Sequence, residues 1–203
     1  ISDSCVAEGA AWLCQHEPRF AAVMQDIPVL PLRLKPEGFA ELLSAIVSQQ
    51  VSVASANAIW GKLQGAGMVT PLAVGEASEE RLRALGLSGQ KVRYAHALAR
   101  ANIDYDVLRD MPAEEAIKTL TAVSGIGPWT AEIYVMFALG RADVFAPGDL
   151  ALQEAAKLIF DLPERPKEKA FREMAQDWSP WRSVAARILW AYYKHNKQRE
   201  GIT

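Results

Sequence analysis

The sequence predicts an all-α chain, and three observations carry that expectation. Pro, Gly and Ser punctuate apolar stretches at helical spacing, strong strand signals are missing, and the segment 128–139 is apolar almost all round, with Glu132 its only charge. A helix without a polar face belongs at the centre of a bundle. Of 203 residues, 50% are hydrophobic and 23% charged, enough to bury a core as one or two lobes.

Helices are expected over 4–16, 37–49, 52–64, 78–84, 88–101, 113–122, 128–139, 149–160, 166–176 and 180–195. The second carries the stripe Phe39, Leu42, Leu43, Ile46 and Val47, with the amide of Gln50 where a further apolar residue is due. Ser88-Gly-Gln-Lys91 opens the fifth, and Pro112 begins the sixth. Gly125 and Gly127 then break the pattern, and Pro128 takes a first-turn position where its missing N–H costs nothing. Asp149, after Pro147-Gly148, caps the helix that starts at Leu150. On the last helix Trp181, Val184, Ile188 and Tyr192 share one stripe, whereas Trp190 falls off it with Ser183, Arg187 and Lys194. A large indole there needs a neighbouring lobe or a ligand.

Composition excludes several classes. No apolar run approaches the roughly 20 residues needed to cross a bilayer, and no basic-then-apolar leader is visible. Cys5 and Cys14 are too few for a cysteine-built metal centre, and His16, His96 and His195 form no constellation, so no metal is expected. The net charge of −2 hides an uneven distribution. Arg81, Arg83, Lys91, Arg93 and Arg100 occupy 81–100 without an acid, and residues 164–203 hold nine Lys or Arg against five Asp or Glu. A basic face on a neutral body is therefore available to phosphates, although such runs are as often plain solvated helix faces.

The stretch 119–134 forms helix, tight hairpin, helix. Glycines let the backbone approach a ligand, and the exposed N–H groups at the second helix's start favour a phosphate. Taken alone, the turn is also what any glycine-capped helix connection looks like.

Five motifs in order decide between these readings: Ile46-Val-Ser-Gln-Gln-Val-Ser52, Leu82-Arg-Ala-Leu-Gly-Leu-Ser88 with Lys91, Gly125-Ile-Gly-Pro-Trp-Thr-Ala131, Val144-Phe-Ala-Pro-Gly-Asp-Leu-Ala-Leu152, and Pro180-Trp-Arg-Ser183 with Trp190. Through them the chain resembles the helix-hairpin-helix DNA glycosylase superfamily and, within it, the alkyladenine type, 3-methyladenine DNA glycosylase II. The resemblance implies two helical lobes with a cleft between them: a terminal lobe of about 1–36 and 150–203, and a central lobe of about 37–149 containing the hairpin 119–131. It also implies the short form of the family, without the extra N-terminal mixed domain of longer bacterial enzymes.

The resemblance assigns roles. Asp149 would be the catalytic anion that stabilises positive charge on the sugar as the glycosidic bond breaks; as a helix cap alone it would be equally at home. Trp129 and Trp190 would wall a base pocket with Ile133, which stands, like Ala191, where the long bacterial enzymes carry tyrosines. Trp129 could as well be a core residue. Gln50, helped by Gln49, would fill the place vacated by a flipped nucleotide; its plain alternative is a helix-terminal glutamine bonding nearby backbone. Lys91, Gly125, Gly127 and Thr130 would contact the DNA backbone, Lys91 being otherwise a solvated surface lysine. Trp129 occupies the position where family members that also cut the strand carry a lysine, so a monofunctional enzyme is expected. Its rivals are a bifunctional glycosylase-lyase, a catalytically silent DNA-binding module and, last, a purely structural helical protein.

No cofactor is implied beyond a structural monovalent cation at the carbonyls of Thr121, Val123 and Ile126. The implied partner is double-stranded DNA containing alkylated bases. A monomer in the bacterial cytoplasm, at the nucleoid, completes the expectation.

Overall fold

A computed structural model describes residues 1–27 and 29–199 and contains helices and no strand among them. In chain order these are α1 (Asp3–His16), α2 (Pro18–Asp26), α3 (Phe39–Ser48), α4 (Val53–Gly65), α5 (Pro71–Glu76), α6 (Glu79–Ala84), α7 (Gly89–Arg100), α8 (Tyr105–Asp110), α9 (Ala113–Thr121), α10 (Pro128–Phe137), α11 (Leu150–Ile159), α12 (Glu168–Met174) and α13 (Arg182–Arg199). A 3-10 turn over Ala175–Trp178 follows α12, where the sequence suggested one continuous helix. Three helices escape the periodicity reading. α5 and α8 have six residues each and α2 nine, too short for a stripe to repeat. Their caps were nevertheless readable: Thr70 and Asp104 accept N–H bonds of the first turn, and Pro18 and Pro71 open α2 and α5.

The chain divides into two compact units, Ile1–Leu34 with Val135–Thr203, and Lys35–Tyr134. The second division falls inside α10, not after Asp149 as the resemblance suggested. Asp149 and its loop therefore belong with the terminal unit.

In the central unit α7 packs on α3, α5 and α6. Leu42, Leu43, Ile46, Val47, Leu63, Leu82, Val92 and Leu98 are buried there. The α3 stripe read from the sequence is thus the buried face. In the terminal unit α13 lies against α1 and α11. A Cβ at Gly9 of α1 would stand 2.7 Å from the Trp181 ring, so the glycine permits the close helix approach. Phe20, Phe145, Phe160, Phe171 and Trp178 make an aromatic cluster in the same core, edge-to-face except where Phe160 stacks on Trp178.

α13 corrects the amphipathic reading. Val184, Ala185, Ala186, Ile188 and Leu189 are buried, and so are Ser183 and Arg187. The face bearing Trp190 is buried at Ser183 and Arg187, half-buried at Trp190 and exposed at Lys194.

Candidate functional site

Asp149 sits at the N-terminus of α11 in extended conformation. Its Oδ1 accepts from the backbone N–H groups of Ala151 and Leu152, each at 3.0 Å. The same oxygen accepts from the indole Nε1 of Trp190 at 3.1 Å. Three donors on one oxygen fix the carboxylate plane, and the helix end favours its negative charge. The cap and the functional reading therefore describe one arrangement.

The loop before Asp149 is fastened by the polar stripe of α13. The Ser183 hydroxyl accepts from Val144 N–H (3.2 Å), and its own proton faces the carbonyls of Arg141 (2.6 Å) and Val144 (2.9 Å). Arg182 binds the Asp143 carboxylate at 2.7 and 2.9 Å. Burial alone would raise the Asp143 carboxyl, but hydrogen bonds from Arg182 and Ser179, with Arg182's charge, hold it below the ordinary value. One turn further, Arg187 is 1% exposed, donates to the carbonyls of Leu32 and Ser183, and lies 4.9 Å over the Phe137 ring. Burial, together with the charge of Arg33, lowers this guanidinium to about 10, so it stays charged at neutral pH. Phe137 in turn meets Trp190 at 5.5 Å. Ser183, Arg187 and Trp190 thus form a continuous support for Asp149. Their shared spacing at i, i+4 and i+7 was visible in the sequence, but the carbonyls and the carboxylate that they serve were not.

The hairpin occupies the central unit. α9 ends at Thr121, Val123 and Ile126 are buried, and the Ile126 N–H closes on the Val123 carbonyl at 3.0 Å. Gly125 has φ +97°, a region that favours glycine, and a Cβ there would stand 2.4 Å from the Tyr94 ring. Gly127 differs: it is exposed, and a Cβ would meet nothing within 4 Å. The two glycines serve different ends, the first a backbone turn against Tyr94 and the second an open approach to the start of α10.

Beside the hairpin, α3 and α10 enclose a hollow of about 170 Å³. Trp129 stands at its wall, 45% exposed, and Ile133, Thr130 and Gln49 also line it. Trp129 is therefore no core residue. Thr130 departs from its expected backbone contact: it is 5% exposed, because one residue along a helix turns the side chain about 100° from the outward Trp129. The expected pocket residues fall into two groups, Trp129 and Ile133 in the central unit and Trp190 with Asp149 in the terminal one.

The turn between α3 and α4 holds the glutamines. Gln50 is exposed with φ +55°, an unusual conformation for a residue with a Cβ. α3 ends at Ser48, so Gln50 does not continue its stripe but projects from the turn. The Gln49 amide donates to the Gly125 carbonyl at 2.9 Å and ties this turn to the hairpin. Lys91 also differs from expectation. Its ammonium donates to the Val47 carbonyl at 2.6 Å, near the C-terminal end of α3 where a positive charge is favoured, and burial pushes it below the ordinary lysine value. It secures the turn from beneath. Some residues of the basic segments pair locally as well: Arg83 with Glu79, Arg172 with Glu168 and Arg165 with Glu154.

No group of His, Cys, Asp and Glu able to hold a metal occurs among the described residues. No described helix is long and apolar enough to cross a membrane.

Comparison with known proteins agrees with this architecture. Residues 43–180 match the family model described as HhH-GPD superfamily base excision DNA repair protein. DNA-3-methyladenine glycosylase 1 of Schizosaccharomyces pombe is 30% identical over 165 residues, covering 77% of this chain and 72% of its own. The crystal structure of a DNA-3-methyladenine glycosidase from Bacillus halodurans superposes with a TM-score of 0.81 at 32% identity, over 92% of this chain and 89% of that one. The 3-methyladenine DNA glycosylase of Schizosaccharomyces pombe, solved with abasic DNA, gives 0.79 at 25% identity, over 94% and 97%. On the hairpin geometry, the family match and these relatives together, the chain belongs to the HhH-GPD superfamily of base excision DNA repair proteins.

Proposed function

We propose that this protein is a monofunctional DNA glycosylase that extracts alkylated purines such as 3-methyladenine from duplex DNA, as a monomer, and hydrolyses their N-glycosidic bond. The observation that carries the reading is Asp149, an anion aimed by two backbone donors and one indole. As the bond between the sugar and the base nitrogen breaks, its electrons go to the base and positive charge grows on the sugar. A preorganised carboxylate stabilises that charge, and water supplies the oxygen that replaces the base. An N-alkylated purine is already cationic and leaves as a neutral molecule, so no second acid is required.

The exposed Trp129 offers an aromatic face to an electron-poor base, and stacking of this kind is worth about 1–3 kcal/mol. An indole cannot form a Schiff base, which argues for hydrolysis over strand cleavage. Gln50, held outward in its strained turn, suits the plug for the vacated place in the stack. The open backbone at Gly127 and the start of α10 suit a phosphate. A monovalent cation at the carbonyls of Thr121, Val123 and Ile126 fits in part: Val123 O already accepts one N–H and keeps a second lone pair. Such an ion would brace the hairpin and take no part in the chemistry.

Chromatography of the bases released from methylated duplex DNA tests the activity. Free methylated purines and an intact abasic strand are expected. Absence of any released base, or a species trapped on abasic DNA by borohydride, overturns the reading. For Lys91, Lys91→Met is expected to cost about 1.5–3 kcal/mol in urea unfolding, the worth of a hydrogen bond from a charged donor. The slope of DNA affinity against salt should stay as in the wild type; a slope shallower by about one unit would return Lys91 to the phosphates.

A further inference from the structure

The hollow beside Trp129 contains an ion pair that the proposed chemistry does not use. Glu41, in the first turn of α3, and Lys35, just before that helix, both line it, with Nζ 2.5 Å from the carboxylate. The two are unequally sheltered: the Glu41 side chain is 18% exposed and that of Lys35 50%. Ser44 and Ser48 line the α3 wall beside the acid, and Tyr134 lines the opposite one. The Tyr134 phenol is raised above its ordinary value first by burial and also by the negative charges of Glu37 and Glu41, so the field of Glu41 reaches across the hollow.

Size and charge together define what would fit. An apolar cavity of about 150 Å³ takes up benzene, and this one has 170 Å³ with an open side. A planar heterocycle can enter. Lys35, on a flexible, half-exposed stem, is the counterion of the less exposed Glu41 carboxylate. A purine alkylated on a ring nitrogen brings its own positive charge, spread over a flat ring that also suits the face of Trp129. It can replace the ammonium one cation for another, releasing Lys35 to solvent. A neutral purine can only crowd against the pair or break it without compensation.

Building on the glycosylase reading above, we propose that Glu41 is the charge-selecting residue of the base pocket, exchanging the Lys35 ammonium for the positive charge of an N-alkylated purine.

The test is a ratio. Release of 7-methylguanine, cationic in DNA, and of hypoxanthine, neutral, is measured on otherwise identical duplexes below saturation, where the rate includes capture of the base. Glu41→Gln keeps the shape and removes the charge, and should lower the cationic-to-neutral ratio about tenfold, the size of one charge-assisted hydrogen bond. Lys35→Met removes the competing cation and should raise the ratio about threefold, as expected for a half-exposed pair. A wild-type ratio in both variants, or equal loss on both lesions, overturns the role of Glu41 while leaving the glycosylase activity standing. Should Glu41→Gln fail to fold, the Lys35→Met ratio decides alone, an unchanged value counting against the proposal. A wild type that releases neither base instead removes the activity on which the proposal rests.

Discussion

Asp149→Asn is expected to lower base release by about 10²–10³, the cost of removing one preorganised electrostatic partner from a developing charge. The substitution separates two functions that share one side chain. Asparagine caps helices about as well as aspartate, so the bonds from the Ala151 and Leu152 N–H groups survive. Its carbonyl oxygen can still accept from the Trp190 indole. Fold and DNA affinity should therefore remain near wild type while the anion is lost. Single-turnover release from methylated duplex, with affinity measured in parallel, checks both halves. Release at the wild-type rate would remove Asp149 from the mechanism, and equal loss of affinity and stability would reduce it to a cap.

The second large effect concerns the hairpin glycines, which a sequence motif treats alike. Gly125→Ala is expected to cost about 2–4 kcal/mol: roughly 1 kcal/mol for an alanine at φ +97°, and about 1–3 for the contact with the Tyr94 ring at 2.4 Å. For a chain of this size that is a fall in Tm of about 5–15 °C. Because Gln49 is bonded to the Gly125 carbonyl, the Gln49–Gln50 turn should loosen as well. Gly127→Ala is the control. Its Cβ meets nothing and its φ is ordinary, so the Tm should hold or rise slightly. DNA affinity should nevertheless drop, since the new methyl stands where the strand would approach. Thermal melts with binding isotherms for both variants check the contrast. Equal destabilisation by the two would show that the turn, and not the open backbone, explains both glycines.

Part of the site could be read without coordinates because local rules govern it. The Asp149 cap, the entry of α10 at Pro128 and the buried stripe of α3 follow from residue types a few positions apart. Other side chains have distant partners that local rules do not show. Lys91 was read as a phosphate contact, yet the Val47 carbonyl, 44 residues away, takes its ammonium. Thr130 was read as a strand contact, yet the rotation of α10 turns it toward the hollow shared with α3. Ser183 and Arg187 were placed off the apolar stripe because a helical wheel counts apolar residues and cannot see carbonyls offered by Leu32, Arg141 and Val144.

By itself the sequence determined the helical class, the glycine hairpin, the capping carboxylate of Asp149 and the family, since each depends on short-range backbone preferences or on motifs that stand in order along the chain. Only the tertiary structure decided which oxygen the Trp190 indole grips, that Gln49 and Lys91 bond to the carbonyls of Gly125 and Val47, and that an acid with its own counterion lines the hollow beside Trp129. The physical reason is satisfaction of buried polar groups: a donor or acceptor taken from water must find a partner, and where that partner lies along the chain is set by the packing of helices, not by the residues next to it.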